Sequence, residues 1–422
     1  MSSQNSAKGG SAFGGKKLSL EPYKGTRDFY PRDQFAQNHI FDVWRRVAQR
    51  YGYLEYGASI IEETDLYRAK TGEEIVNEQT YSFTDRGGSD VTIRPEMTPT
   101  VARMVAQKRK ELTFPLRWFS IPNLFRYERP QRGRLREHWQ LNCDIFGVDG
   151  IEADAEIISL AYDIMKEFGA KDENFVIKLN NRQALTKVFF ELGLTEANQK
   201  TFRRLLDKKD KIEDFNEQVK AILGKPFNAN PKADNETSQL MQKLQALGIK
   251  NLVYDPYLVR GFDYYTGMVF EMYDVNPKNP RALFGGGRYD DLVEIFGVEK
   301  VPGVGFGWGD VTTKDFLETY NLLPEYQPPV QLYIAHLDGY LEAANKLASD
   351  LRKQSLNVAV DLTDRKVSAQ IKTADKEQIP FIVVVGEEEV KTGNYKVKSL
   401  KESKETKVEA VEIANLITVA RT

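Results

Sequence analysis

Residues 34 to 51 repeat apolar side chains at helical spacing, with Ile40, Val43, Trp44, Val47, Ala48 and Tyr51 on one stripe and Gly52 closing the run. That spacing predicts an amphipathic helix. From about 57 to 150 the pattern changes to short alternating runs broken by glycine and proline: YSFTD, VTIRP, LRWFSIPNLFRYE and HWQLNCDIFGV. Alternation with period two predicts a mostly antiparallel sheet, with helices after Glu96 and after Ala153. Residues 184–248 are helical in period and rich in charge (TFRRLLDKKDKIEDFNEQVKAIL), and the sheet pattern resumes at YDPYLVRGFDYYTGMVFEMYD. The stretch is therefore expected to be a helical insertion in an antiparallel α+β domain spanning residues 18–325.

Beyond a proline-rich linker, LLPEYQPP at 322–329, the rhythm alternates. VQLYIAHL leads into a helix carrying Leu341, Ala344, Leu347, Ala348 and Leu351, followed by NVAVDL, a polar helix and PFIVVVG. Apolar strands separated by helices predict a small α/β domain over 330–422 with a largely parallel core. The opening residues 1–17 are rich in Gly, Ser and Lys and lack acids, so a flexible tail is expected there.

Composition narrows the classes. A chain of 422 residues has room for two or three domains. With 59 basic and 61 acidic residues the net charge is only −2, so a polyanionic partner has to be held by local patches rather than by the field of the whole molecule. The single cysteine, Cys143, excludes a disulfide framework and fits a reducing compartment. No apolar run approaches the ~18 residues of a membrane span. The tail lacks the arginines of a transit peptide. A cytoplasmic protein is expected.

Four stretches carry candidate chemistry. In FRYERPQRGRLREHWQLNCDIFG a polar turn joins two strands, with Arg129, Arg132, Arg134 and Arg136 within eight residues. Alternation places Gln140, Asn142 and Asp144 on one face and Leu141, Cys143 and Ile145 on the other, an arrangement that an ordinary half-exposed hairpin also satisfies. Arg126 and Glu128 share a face on the incoming strand. In LVRGFDYYTGMVFE, Arg260 offers a fork for a carboxylate or phosphate, and Tyr264 and Tyr265 supply an aromatic wall with hydroxyls. In RPEMTPTVAR, Glu96 and Thr98 precede a helix, where capping is the simpler explanation. The runs LFGGGRYDD and VPGVGFGWGD suggest backbone lying close to a ligand or another strand. The three histidines, His39, His138 and His336, are far apart in sequence, and no metal-ligand set is expected. Arg, Glu, Gln and Tyr are tools for alignment and charge stabilisation, as phosphoryl-type transfer requires.

The motifs KGTRDFYP, RPEMTPTVAR, FRYERPQRGRLREHWQ, LVRGFDYYTGMVFE and GGGRYDDL, in that order, resemble the histidyl-tRNA synthetase family over nearly the whole chain from about residue 20. DLTDRKVSAQIKTADKEQIPFIVVVGEEE is similar to the family's anticodon-binding domain. The resemblance implies a class II synthetase catalytic domain, a homodimer, ATP and Mg²⁺ as cofactors, and attachment of histidine to tRNA(His) through histidyl-adenylate. By motif, Arg126 matches the arginine on the ATP α-phosphate and Glu128 an ATP contact. Arg260 matches the arginine that bridges the histidine carboxylate and that phosphate. Glu96, Thr98 and Gln140 match residues for the histidine amino group. Asp144 and Tyr265, with Tyr264 beside them, match the pair that reads the imidazole. Gln131 and Arg132 fall where the family meets the tRNA acceptor end. Gly305, Gly307 and Gly309 match the strand that passes under ATP.

Three departures stand out. Asp144 occupies a position where many bacterial members have Glu, and Ser59 replaces a proline of the dimer-interface motif. After Gly309 the family has an apolar residue and then Glu-Arg, the arginine stacking on adenine; here Asp310, Val311 and Thr312 follow. Lys314 is one candidate substitute. The missing arginine also opens a second possibility, a catalytically inactive paralogue: a regulatory subunit of the ATP phosphoribosyltransferase of histidine biosynthesis, or a tRNA-binding sensor. Retention of the substrate-facing motifs, together with residues 330–422, favours an active synthetase.

Overall fold

A computed structural model describes residues 18–68, 78–207, 212–224 and 232–420. The expected tail at 1–17 lies outside the described residues, as do 208–211 and 225–231 of the expected insertion. By internal contacts the chain divides after Pro324 into two compact units.

The first unit is built on a nine-stranded sheet. Its order is β1 (Leu54–Glu55), β5 (Leu116–Ser120), β7 (Glu137–Phe146), β12 (Gly303–Gly309), β11 (Ala282–Arg288), β10 (Met268–Asp274), β8 (Phe175–Asn181) and β9 (Leu252–Tyr254), with β6 (Asn123–Phe125) paired to β7. The six strands from β5 to β8 are antiparallel, and only the edge pairs β1/β5 and β8/β9 are parallel. A small antiparallel sheet, β2 (Ile61–Glu63), β4 (Asp90–Ile93) and β3 (Tyr81–Thr84), lies apart from it.

One face of the large sheet is apolar by alternation. Leu141, Cys143 and Ile145 of β7, Val304, Phe306 and Trp308 of β12, and Phe270 and Met272 of β10 bury against two helices. These are Pro31–Arg50, through Val43, Trp44 and Val47, and Ile151–Glu167, through Ile157, Ile158 and Ile164. Trp308 stacks on Phe284 at 3.9 Å between centroids and meets Trp44 at 6.0 Å. The helix expected after Ala153 begins slightly earlier, at Ile151, behind Gly150 at φ +96°. The opposite face of the sheet carries the polar residues and is also covered, since Asn142 and Asp144 are each only 3% exposed. A half-exposed hairpin with a solvated polar face is thereby excluded.

The 184–248 stretch is less uniform than its period suggests. Leu185, Phe189, Phe202 and Val219 form a separate apolar cluster with Val259. The last helix, Asn235–Ala246, instead buries Leu240 and Leu244 in the main core against Ile151–Glu167. Its stripe is apolar enough to join the larger core, so the independent cluster ends before it.

The second unit has a five-stranded sheet in the order β14 (Val358–Val360), β13 (Leu332–His336), β15 (Phe381–Val385), β16 (Asn394–Ser399) and β17 (Glu405–Glu409). The first three strands are parallel, as the alternation with helices predicts; β16 and β17 extend the sheet as an antiparallel hairpin. The hairpin adds little to the core of this unit. Lys396 and Lys398 pair with Lys407 and Glu405 in a charged row, and Val397 is its one fully buried side chain.

Candidate active site

The site lies on the polar face of the large sheet, and glycine makes room for it. In register, Gly305 of β12 faces Asp144 of β7, Gly307 faces Asn142 and Gly309 faces Gln140. On the other side Gly305 pairs with Gly287 and Gly307 with Gly285 of β11. A β-carbon on Gly305 would come within 2.5 Å of Asp144 Oδ1 and 2.7 Å of the Tyr289 hydroxyl; one on Gly307 would lie 2.8 Å from the Gln140 carboxamide. These glycines therefore clear a floor over which neighbouring polar side chains reach.

Above that floor stand three rings, two stacked and the third tilted against them. Phe262 and Tyr264 are parallel at 5.1 Å, and Tyr264 and Tyr265 are 4.8 Å apart. A guanidinium sits at each end, Arg126 over Phe262 at 5.5 Å and Arg260 over Tyr265 at 5.8 Å. Arg126 is anchored by Nε donating to the Pro95 carbonyl at 2.9 Å. Arg260 donates to Glu271 Oε1 at 2.7 Å, and Tyr273 donates to the other oxygen of Glu271 at 2.5 Å. Burial opposes the charge of Arg260, but Tyr265 and Glu271 outweigh it, so the guanidinium is held firmly protonated. RPEMTPTVAR enters from the side: the Tyr264 hydroxyl donates to Glu96 Oε2 at 3.0 Å, in contact also with Thr98 at the start of helix Thr98–Lys108. Glu96 and Thr98 thus face the aromatic stack, which a pure capping role does not require.

Asp144 is buried on the floor, and its Oδ1 accepts from the hydroxyl of Tyr289. Its Oδ2 is equally buried and has no hydrogen-bond partner among the described residues. Burial pushes its carboxyl up to about 7, against the pull of the Tyr289 hydrogen bond. The motif resemblance pairs this carboxylate with Tyr265; the hydroxyl that reaches it is Tyr289, from GGGRYDDL, a motif that stands out in sequence only for its glycines.

The turn after Arg126 carries a second cluster. Glu128 is 8% exposed and pairs with Arg134 at 2.6 Å. Gln131 and Arg134 close the turn through reciprocal backbone hydrogen bonds of 2.9 Å, and Arg132 donates to Asn279 at 3.0 Å. Arg136 is structural: it is buried, donates to the Glu128 carbonyl and lies 3.9 Å over the Tyr127 ring. His138, half-buried nearby, is pushed down to about 3 by burial and by Arg126, Arg27 and Arg134, so its imidazole is neutral at ordinary pH.

The residue after the glycine strand is also accounted for. Asp310 is 2% exposed, accepts from Arg27 at 2.8 Å and caps the backbone N–H of Trp139 at 3.0 Å. It ties KGTRDFYP to the end of β12. Lys314 is not the substitute for the missing arginine: it points to Asp33 and Glu318, at 3.7 and 3.8 Å, on the far side of its helix. Glu96, Thr98, Arg126, Arg260, Tyr264 and Tyr265 meet around the rings, Gln140 and Asp144 lie beside the glycine strand, and Glu128, Gln131 and Arg132 belong to the turn after Arg126. Tyr289 and Glu271 bond to these groups, His138 lies within electrostatic range of Arg126, and Arg27 pairs with Asp310. Among the described residues no group of three or more His, Cys, Asp or Glu side chains converges as a metal site.

The chain is similar to known proteins over nearly its whole length. A family model described as histidyl-tRNA synthetase matches residues 25–309, and one described as an anticodon binding domain matches residues 331–421. The chain is similar to the histidine–tRNA ligase of Leptospira biflexa, 43% identical over 91% of this chain and 94% of that one. It is similar to that of Thermoplasma volcanium at 35%, over 91% and 95%. Among solved structures, a histidyl-tRNA synthetase from a Nostoc species has the same fold, with a TM-score of 0.77 at 23% identity, covering 96% of this chain and 100% of that one.

Proposed function

The chain belongs to the histidyl-tRNA synthetase family, and we propose that its glycine-floored site activates histidine with ATP and transfers it to tRNA(His). The observation that carries the reading is the pairing of two arginines on one aromatic stack with a buried carboxylate whose second oxygen is unpartnered. The histidine carboxylate attacks the α-phosphorus of ATP, a C–O–P anhydride forms, and pyrophosphate leaves. Arg126 and Arg260 neutralise the two anions that would otherwise repel and stabilise the charge that builds on the phosphate. The ring stack holds both guanidinium planes in place before substrate arrives.

Asp144 Oδ2 accepts an imidazole N–H, while Tyr289 fixes the other carboxylate oxygen. A buried group of this kind penalises any amino acid that leaves it unpaired. Glu96, Thr98 and Gln140 take the amino group, with Tyr264 and Tyr265 closing the pocket around the side chain. Glu128 contacts ATP, and Gly305, Gly307 and Gly309 pass beneath it. The Mg²⁺ implied with ATP would screen the charge of the phosphates; Glu271, which lies beside Gly285 and accepts from Arg260 and Tyr273, would be a carboxylate on this face to hold it. In the second step a ribose hydroxyl at the tRNA 3′ end attacks the adenylate carbonyl and AMP leaves, with Gln131 and Arg132 meeting the acceptor end and residues 330–422 the anticodon.

In this reading the protein works in the cytoplasm as a homodimer. Ile61 and Phe83, exposed on the small sheet, provide an apolar surface for a second copy, with exposed Ile60 next to Ser59 just before the sheet begins. None of the comparisons favours an inactive paralogue. The test is charging of a tRNA(His) transcript with labelled histidine: stable aminoacyl-tRNA is expected, and tRNA binding without any charging would support the inactive reading.

A further inference from the structure

Where the glycine strand ends, a cavity of about 410 Å³ opens, within the range of sites that take a nucleotide-sized ligand. Its walls come from three directions: the turn at Gln131, Arg132 and Gly133; Leu283 with Arg281 from β11 and the loop before it; and Thr312 with Asp315 from the first turns of helix Asp310–Thr319. Thr312 donates its hydroxyl to the Leu283 carbonyl at 2.7 Å, which turns its methyl carbon toward Gly133. Leu283 and that methyl give the cavity an apolar wall. Asp315 accepts from the backbone of Gly133 and answers the charge of Arg132.

Arg281 has a different standing. It is half-buried, and it makes no hydrogen bond or ion pair among the described residues. Burial and the neighbouring charge of Arg134 both press its guanidinium toward deprotonation, with Glu128 only partly offsetting them. A half-buried guanidinium with no partner among the described residues is available to a ligand, and the face of an aromatic ring is a partner suited to its planar form. Arg281 also stands within electrostatic range of Glu128 and Arg134, so the cavity adjoins the turn that carries the proposed ATP contacts.

We propose that this cavity receives the purine of ATP and that Arg281 lies on the ring, supplying from the edge of β11 the cation that is absent at Thr312. The proposal rests on the synthetase reading above and names the residue that completes its nucleotide site. Thr312 is then more than a loss: a long side chain there would fill the space that the purine and Arg281 share. Lys314, directed to Asp33, takes no part.

The test is histidine-dependent ATP–pyrophosphate exchange by the full-length protein, with ATP varied, in wild type, Arg281→Ala and Arg281→Gln, alongside equilibrium binding of adenosine. Loss of one cation–π contact predicts an ATP KM raised about two- to thirty-fold, with kcat and the histidine KM near wild type, because the contact serves ground state and transition state alike. Adenosine binding should weaken in parallel. An unchanged ATP KM and unchanged adenosine binding in both variants would overturn the assignment, and so would a change confined to the tRNA KM. Wild-type protein that shows no exchange at all would instead remove the synthetase reading itself.

Discussion

Asp144 illustrates what a single residue contributes and how far it can be read in advance. Its motif position is visible in HWQLNCDIFG, but its partner Tyr289 lies 145 residues away, and Arg27 lies 283 residues from Asp310. Pairings across such separations are set by how distant segments come together in the fold, which local alternation does not encode. The raised carboxyl of Asp144 makes two predictions of definite sign. The native state holds a proton that the unfolded chain, titrating near 3.8, has already released; the stability it contributes is full below that value and is lost as pH rises through about 7. Asp144→Asn should therefore lose less thermal stability than wild type between pH 5 and pH 8, which melting curves will show. Binding has the opposite sense, since Oδ2 accepts an imidazole N–H in the ionised form, with Oδ1 already held by Tyr289. The wild-type histidine KM should rise as pH falls through about 7, beyond the change due to histidine's own imidazole, and Asp144→Asn should have a high KM without that added slope. Equal pH profiles for the two proteins would contradict the role given to Asp144.

At the scale of elements, the glycine strand is the most legible feature and the charged segments the least. Four glycines at alternate positions of GVGFGWG cannot be explained by packing alone, and the structure places Gly305 and Gly307 under polar side chains from β7. By contrast, the β16–β17 hairpin has no apolar run, because charged side chains recur at every second position on both strands. The helix Asn235–Ala246 has the same period as the insertion before it, while its burial belongs to the main core. Gly305→Ala tests the floor directly. The added β-carbon meets a carboxylate oxygen, a carbonyl and a hydroxyl within 2.7 Å, and overpacking of this kind costs about 1–3 kcal/mol. Denaturant melts should show that loss, together with a raised histidine KM from displacement of Asp144. Wild-type stability and KM would mean that the strand does not define the pocket.

For the whole molecule, two cores explain a division of labour that composition hides. The first unit gathers every residue assigned to adenylate chemistry, whereas the second is a separate sheet domain that matches an anticodon-binding model. A net charge of −2 says nothing of a polyanionic partner; the basic groups that matter are grouped at the turn around Arg132 and on the aromatic stack. Motif order reveals the family, and alternation reveals the antiparallel sheet, but the proposed adenine site is visible only in the cavity beside Thr312. The central claim is that this chain is an active synthetase whose two arginines align histidine and ATP. ATP–pyrophosphate exchange with the full-length protein tests it most directly, using wild type and Arg260→Ala with histidine present or withheld. Exchange that requires histidine and falls by at least about a hundredfold in the variant, as loss of a transition-state charge contact implies, is the expected result. Exchange without histidine, or an Arg260→Ala rate equal to wild type, would contradict the account.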